Sequence, residues 1–266
     1  VWHLGEPSGS THFDSTANKN TAASGASTMG IAGVADGAAG YNQSTMDNVT
    51  NFNGSLSVST ALTYSAWFYL NAAPGGEKPG IFIKGDNEGS HDYSMVYLVN
   101  NANVYMNLNN GNIGGGIGFN PSLNTWYNLV GTYDKVTFRV YRNGVQINSW
   151  ASVNNINNSY PNTVNIGGQG WGKLNGRVDE CRVMQTSASS NWVWASYMTM
   201  ASNTPTFTAY SAVEALNITN PPILSNTGAS NVMATSAILN GNMRSTGGAV
   251  SPVFADWGTG DGGTVP

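Results

Sequence analysis

Asp179 and Glu180 stand side by side in LNGRVDECRVM, residues 174–184, next to Cys181, the only cysteine among 266 residues. Two neighbouring carboxylates can cleave a glycosidic bond, hold a hard cation, or simply decorate a strand. The alternation of apolar and polar residues around them predicts a strand, on which successive side chains face opposite ways. The pair therefore cannot address one substrate together unless a bulge intervenes. A glycoside hydrolase also needs its carboxyls roughly 5–9.5 Å apart across one bond, and the other glutamates, at 6, 77, 88 and 214, are scattered. Cys181 reads as a small core residue, since none of the three histidines is near it in sequence to activate a thiol.

Other residues suit recognition rather than bond cleavage. Sugar C–H faces pack on aromatic rings, while the hydroxyls need paired donors and acceptors beside them. Of eight tryptophans, Trp67 and Trp126 lie in alternating runs and read as core. Trp171, in the glycine-rich loop GGQGWGKLNG, and Trp150, just past a strand, are the candidates for a ligand surface. The alternative for Trp171 is a ring folded over the sheet edge. A second candidate patch is GDNEGSHDY (85–93), where Asp86, Asn87, His91, Asp92 and Tyr93 could bind a sugar or a cation. Its alternative is a solvated loop between two strands. A third segment, Asp14 to Asn20 (DSTANKN), offers oxygen atoms at alternate positions, as calcium loops do. It lacks the closing glutamate of an EF-hand, so another segment would have to add a carboxylate; otherwise it is an Asx-turn loop.

The elements that must position these residues are short strands. Apolar alternation over 63–70, 80–85, 93–99, 103–109, 125–134, 136–150, 163–168 and 177–184 is broken by Asn/Gly turns. Asn143-Gly144 between two such runs is a hairpin signal. This number of strands at this spacing predicts an all-β, two-sheet antiparallel sandwich. One short helix is expected in SASSNWVWASYM (187–198), opened by capping serines. Beyond residue 200 the texture changes, and Pro221-Pro222 marks a boundary. The expected organisation is a domain over 1–200, a last strand and linker over 201–220, and an incomplete second β module over 221–266.

Together, VWHLGE (1–6), DSTANKN (14–20), YSAWFYL (64–70), NTWYNLVGTYD (124–134), FRVYRNGVQI (138–147), VNIGG (164–168), LNGRVDECRVM and SASSNWVWASY (187–197) resemble the laminin-G-like, concanavalin-A-like lectin/glucanase family. That resemblance implies a pentraxin-like jelly roll. It also implies a structural calcium ion joining the early loop to the late strand, held by Asp14, Asn18, Asn20 and Asp179. Sugar-cleaving relatives of this fold carry an E-x-D-x-x-E strand, which this sequence lacks. The tail, from PPILSNTGAS to WGTGDGGT, resembles the first half of a fibronectin-type-III-like module, which implies a longer, multi-domain parent with neighbouring domains.

Charged residues make up 9% of the chain, against about a quarter in average soluble proteins. Such a hydrogen-bonding surface suits an extracellular, secreted or cell-surface protein, with any leader upstream of Val1. The net charge of −4 and only ten Lys and Arg exclude a phosphate-neutralising nucleic-acid binder. No apolar run is long enough for a membrane-spanning helix. The expected function is a non-catalytic module binding a polysaccharide or surface glycan; the rival is a structural spacer or protein-interaction domain, and a polysaccharide-active enzyme ranks third.

Overall fold

The computed structural model describes residues 1–201 apart from 26, 51, 53, 88, 99–101, 115–118 and 161–162, and then 223–233 and 238–245. The chain divides into two compact units, Val1–Thr208 and Ala209–Pro266. The first is a jelly-roll sandwich. Its strands are β1 (Thr11–His12), β2 (Ala22–Ala23), β3 (Thr28–Ile31), β4 (Ala38–Asn42), β5 (Asp47–Thr50), β6 (Leu62–Leu70), β7 (Gly80–Asn87) and β8 (Ser90–Leu98). They continue with β9 (Asn103–Leu108), β10 (Trp126–Tyr133), β11 (Thr137–Arg142), β12 (Val145–Ala151), β13 (Thr163–Ile166), β14 (Gly168–Gln169), β15 (Gly172–Lys173) and β16 (Asn175–Met184). One seven-stranded antiparallel sheet runs β1-β2-β5-β13-β7-β8-β9 and the other β12-β11-β10-β6-β16-β4-β3, with β14-β15 as a separate small hairpin.

The period-2 pattern explains the layering. Along β6, Leu62, Tyr64, Ala66, Phe68 and Leu70 enter the core between the sheets, while Thr63, Ser65, Trp67 and Tyr69 occupy the other face. Facing them, β7 and β8 contribute Phe82, Tyr93 and Met95, and β13 contributes Val164 and Ile166. Each such fully buried side chain contributes about 1.5–3 kcal/mol. The β11–β12 hairpin turns on Asn143 and Gly144, both at positive φ (50° and 78°), which is the backbone a two-residue hairpin loop demands.

Helix α1 (Ser190–Ala201) starts where the Ser189 hydroxyl accepts the Trp192 amide at 3.2 Å, a side-chain cap. Its Val193 joins Val130 and Tyr141 in a second apolar cluster. Tyr197 stacks on Trp67 with ring centroids 5.5 Å apart. Trp67 is thus buried under the helix on the outer face, not in the central core. No helix among the described residues is long and apolar enough to cross a membrane. In the second unit, β17 (Ile223–Ser230) and β18 (Ile238–Ser245) pair antiparallel with two irregularities of register. The rest of residues 221–266, and the expected last strand and linker over 201–220 beyond Ala201, lie outside the described residues.

Candidate functional site

At the acid pair, strict alternation fails. The β16–β6 register shifts between Asp179 and Arg182, and Glu180 sits at φ 52°, a conformation costly for a side chain. This bulge sends the two acids to different partners. Asp179 Oδ2 accepts the Val34 and Ala35 amides at 2.7 and 3.2 Å, while Glu180 meets His3 Nδ1 at 2.5 Å and lies 3.8 Å from Arg182. Burial pushes the Asp179 carboxyl up to about 7, with the Glu180 charge adding and the two amides opposing. Beside Glu180, under Trp192 and Trp67, is a cavity of about 10 Å³, room for roughly one water and not for a sugar ring.

The proposed calcium set is Asp14, Asn18, Asn20 and Asp179. Asp14 Oδ1 accepts from the Val1 nitrogen (2.9 Å) and the Thr16 amide (3.0 Å). Its Oδ2 accepts from the Thr16 hydroxyl and the Asn20 amide, both at 2.9 Å. Four donors fill the roughly four acceptor positions of a carboxylate. The side chain of Asn20 donates to Ser55 at 2.7 Å, and Asn18 is exposed. Trp2 bridges to Asp14 on one side and to Cys181 on the other, so a strand-like segment separates the early loop from the late strand. These four residues do not fit a calcium ion as arranged, and among the described residues no group of three or more His, Cys, Asp or Glu side chains could hold a metal. The early loop closes on its own hydrogen bonds. Accordingly, Asp14→Ala should lower the melting temperature by an equal amount in calcium and in chelator; a loss seen only in calcium would restore the metal reading.

The 85–93 patch is mostly structure. Strand β7 runs to Asn87 and β8 begins at Ser90, which leaves a tight turn in place of the expected loop; Glu88 lies outside the described residues. His91, Asp92 and Tyr93 are fully buried, so these three are corrected from ligand candidates to interior residues. His91 Nε2 bonds the Asn107 side chain. Asp92 pairs with Lys84, itself wholly buried, and its other oxygen accepts the Ser159 amide at 3.1 Å. Lys84 also donates to the Tyr160 carbonyl at 3.1 Å, so the pair ties down the 152–160 connection. Trp150 is likewise corrected: half-buried, it stacks on core Phe138 at 5.9 Å.

Trp171 behaves differently. It is 41% exposed at the turn of β14–β15, and three segments meet around it. The Gly170 amide donates to the Asp86 carbonyl (3.1 Å), and the Glu77 amide to the Trp171 carbonyl (3.3 Å). A Cβ at Gly89 would lie 3.0 Å from Trp171 Cη2, so this glycine lets the β7–β8 turn approach the ring edge. Lys78 places its ammonium 5.1 Å from the ring centroid. Beside the ring opens a depression of about 320 Å³ lined by Gln43, Gly75, Gly76, Lys173 and neighbouring glycines. Asp86 and Asn87 stand at its margin, exposed and half-exposed. The structure thus joins the Trp171 loop to the front half of the 85–93 patch and leaves the back half inside. Lys78 and Gln43 escape sequence reasoning, because they come to the site from separate segments, and Lys173, two residues after Trp171, gives no signal of its own in the sequence.

One further cluster has the outline of a catalytic triad. Buried His12 bonds Glu6 through Nδ1 at 2.8 Å and reaches Ser27 Oγ through Nε2 at 3.4 Å. Asp47 Oδ2, however, takes Nε2 at 3.1 Å and also accepts from Ser27 at 3.1 Å and Tyr41 at 2.6 Å. Burial works against a charged imidazole, yet bonds to Asp47 and Glu6 hold the His12 pKa above its ordinary value. With a carboxylate oxygen at each ring nitrogen, the imidazole is held from both sides, and the cluster clasps the N-terminal segment to the sheet edge.

The architecture is shared with known structures. The binding domain of Paraclostridial Mosquitocidal Protein 1 is similar (15% identity, TM-score 0.54, covering 72% of this chain and 50% of that one). So is the ligand binding domain of botulinum neurotoxin serotype D in complex with N-acetylneuraminic acid (12% identity, TM-score 0.54, 71% and 48%). Trypanosoma rangeli sialidase in complex with the inhibitor DANA is a third (13% identity, TM-score 0.53, 75% and 32%). The chain spans half or less of each of those structures. No curated protein matches the sequence. The family model for the concanavalin A-like lectin/glucanases superfamily (Laminin G 3) matches residues 36–193, more than half of the sequence, and the chain belongs to that family.

Proposed function

We propose that the first unit is a non-catalytic saccharide-binding module of an extracellular protein, with the Trp171 depression as its ligand site. The convergence of the β14–β15 turn, the β7–β8 turn and the 75–78 segment on one exposed ring carries this reading. A sugar ring can stack on the indole face left free by Lys78, while Gln43, Asn87 and the lysines supply donors and acceptors for hydroxyls. Support also comes from the family, and from a toxin domain of the same fold that holds N-acetylneuraminic acid. The acid pair is spent on backbone amides and on His3 and Arg182, which favours binding over hydrolysis. The sparse surface charge favours an extracellular setting, and the tail is read as the opening of a fibronectin-type-III-like neighbour in a longer chain.

Affinity electrophoresis against neutral and acidic polysaccharides tests the reading. Retardation by at least one polysaccharide, abolished in Trp171→Ala while melting stays unchanged, is the expected outcome. Migration unaltered by every polysaccharide would point instead to a structural spacer. Release of reducing ends during the incubation would turn the reading toward an enzyme.

A further inference from the structure

Resting on that reading of the same site, we infer that the Trp171 depression selects saccharides bearing an anionic group, a ring carboxylate or sulfate. The chain has ten lysines and arginines in 266 residues, and one of them lies over this ring while another lines the depression beside it. Lys78 stands 5.1 Å from the Trp171 centroid and Lys173 lines the wall. The Lys78 backbone is pinned, because the buried Gln169 amide donates to its carbonyl, so its ammonium is presented from a fixed point. Among the described residues no carboxylate lines the depression. Of the described acids on the segments around the ring, Glu77 and Asp86 give backbone atoms to the scaffold, and both residues are exposed.

A bound anion beside the ring would gain a charge-assisted hydrogen bond from each ammonium. The net charge of −4 repels polyanions elsewhere on the molecule, so retention of an acidic polymer reports a local site. Gln43 Oε1, which lies 3.1 Å from where a Cβ on Gly75 would be, is positioned over the floor to accept from a neighbouring hydroxyl.

The test compares polygalacturonate, its methyl ester, dextran sulfate and dextran in affinity electrophoresis and calorimetry. Methyl esterification removes the charge and keeps the sugar ring. The acid form should bind about tenfold or more tightly than the ester, one charge-assisted bond being worth about 1.5–3 kcal/mol. Lys78→Gln/Lys173→Gln should remove that preference and leave acid and ester equally weak, while Trp171→Ala removes binding of both. Dextran sulfate bound in place of polygalacturonate would assign the anion as sulfate. Equal binding of acid and ester by the wild type overturns the inference and leaves the saccharide site standing. Polyanion binding that persists in Trp171→Ala overturns it by placing the contact elsewhere. Failure of all four polymers removes the saccharide site and the inference together.

Discussion

Lys84→Met lowers the unfolding free energy of the sandwich by about 3–5 kcal/mol, the cost of leaving Asp92 as an uncompensated buried charge. Lys84 shares the core-facing side of β7 with Phe82, and its register partners are Tyr93 on β8 and Val164 on β13. Its ammonium also lies 5.8 Å from the Phe52 ring, so the carboxylate's partner is removed within apolar walls where water does not replace it. Asp92→Leu should cost a similar amount for the mirror reason. The double variant Lys84→Met/Asp92→Leu should recover much of the loss, because no lone charge remains, but not all of it. The Ser159 amide and Tyr160 carbonyl lose their partners in the double variant, at about 1–3 kcal/mol for each group left unsatisfied. Urea unfolding of all four proteins measures this. Single variants within about 1 kcal/mol of wild type would mean that the pair is reached by water and does not anchor the 152–160 connection.

The second large effect is a stabilisation that appears only as pH rises. Asp179 has one oxygen satisfied by two amides, whereas its buried Oδ1 has no hydrogen-bond partner. Its carboxyl is raised to about 7 from 3.8. A group with a raised folded-state pKa contributes stability below its unfolded value and loses it as pH climbs through the folded value. Wild type should therefore lose on the order of 4 kcal/mol from this group between about pH 4 and pH 8. Asp179→Asn keeps an oxygen for the Val34 and Ala35 amides and carries no charge. Its melting temperature relative to wild type should rise steadily across that window and be highest at pH 8. His12, whose pKa is also raised, acts in the same direction, but it is common to both proteins and cancels in the comparison. A melting difference that stays flat with pH would show that Asp179 is ionised throughout.

Much of the scaffold was legible from residue order, and the reason is periodicity. From Leu62 to Met184 the strands alternate strongly enough that each apolar run became a strand, and Asn143-Gly144 formed the hairpin that its backbone preference requires. The early strands β1 to β5 were hidden, because runs such as AAGYN and TMGI are too short and too rich in small residues to show a period. The bulge at Asp179–Glu180 left no mark either. Positive φ at a glutamate has no compositional signature and is imposed by the sheet and by Trp2 pairing with Cys181. Reading His91, Asp92 and Tyr93 as a polar loop failed because strand pairing carries on through Ser90 and His91 despite their polarity. A signal was present, since Lys84 falls two residues after Phe82 on the core side and so demands an acid across the sheet. Trp171 was visible as a ring without apolar sequence neighbours, but its companions were not. Lys78 and Gln43 come beside it through chain reversals whose geometry no local pattern encodes, and nothing local tied Asn87, visible in its own patch, to the same ring.

The indole N–H signals of the eight tryptophans offer the most direct measurement, followed by nitrogen–proton correlation NMR as oligogalacturonate and neutral oligosaccharides are titrated in. The Trp171 signal, assigned by its disappearance in Trp171→Phe, should shift in a saturable way while those of buried Trp2 and Trp67 stay fixed. A saturable shift at other indoles with Trp171 unmoved, or no shift with any saccharide, would contradict a binding site built on this ring.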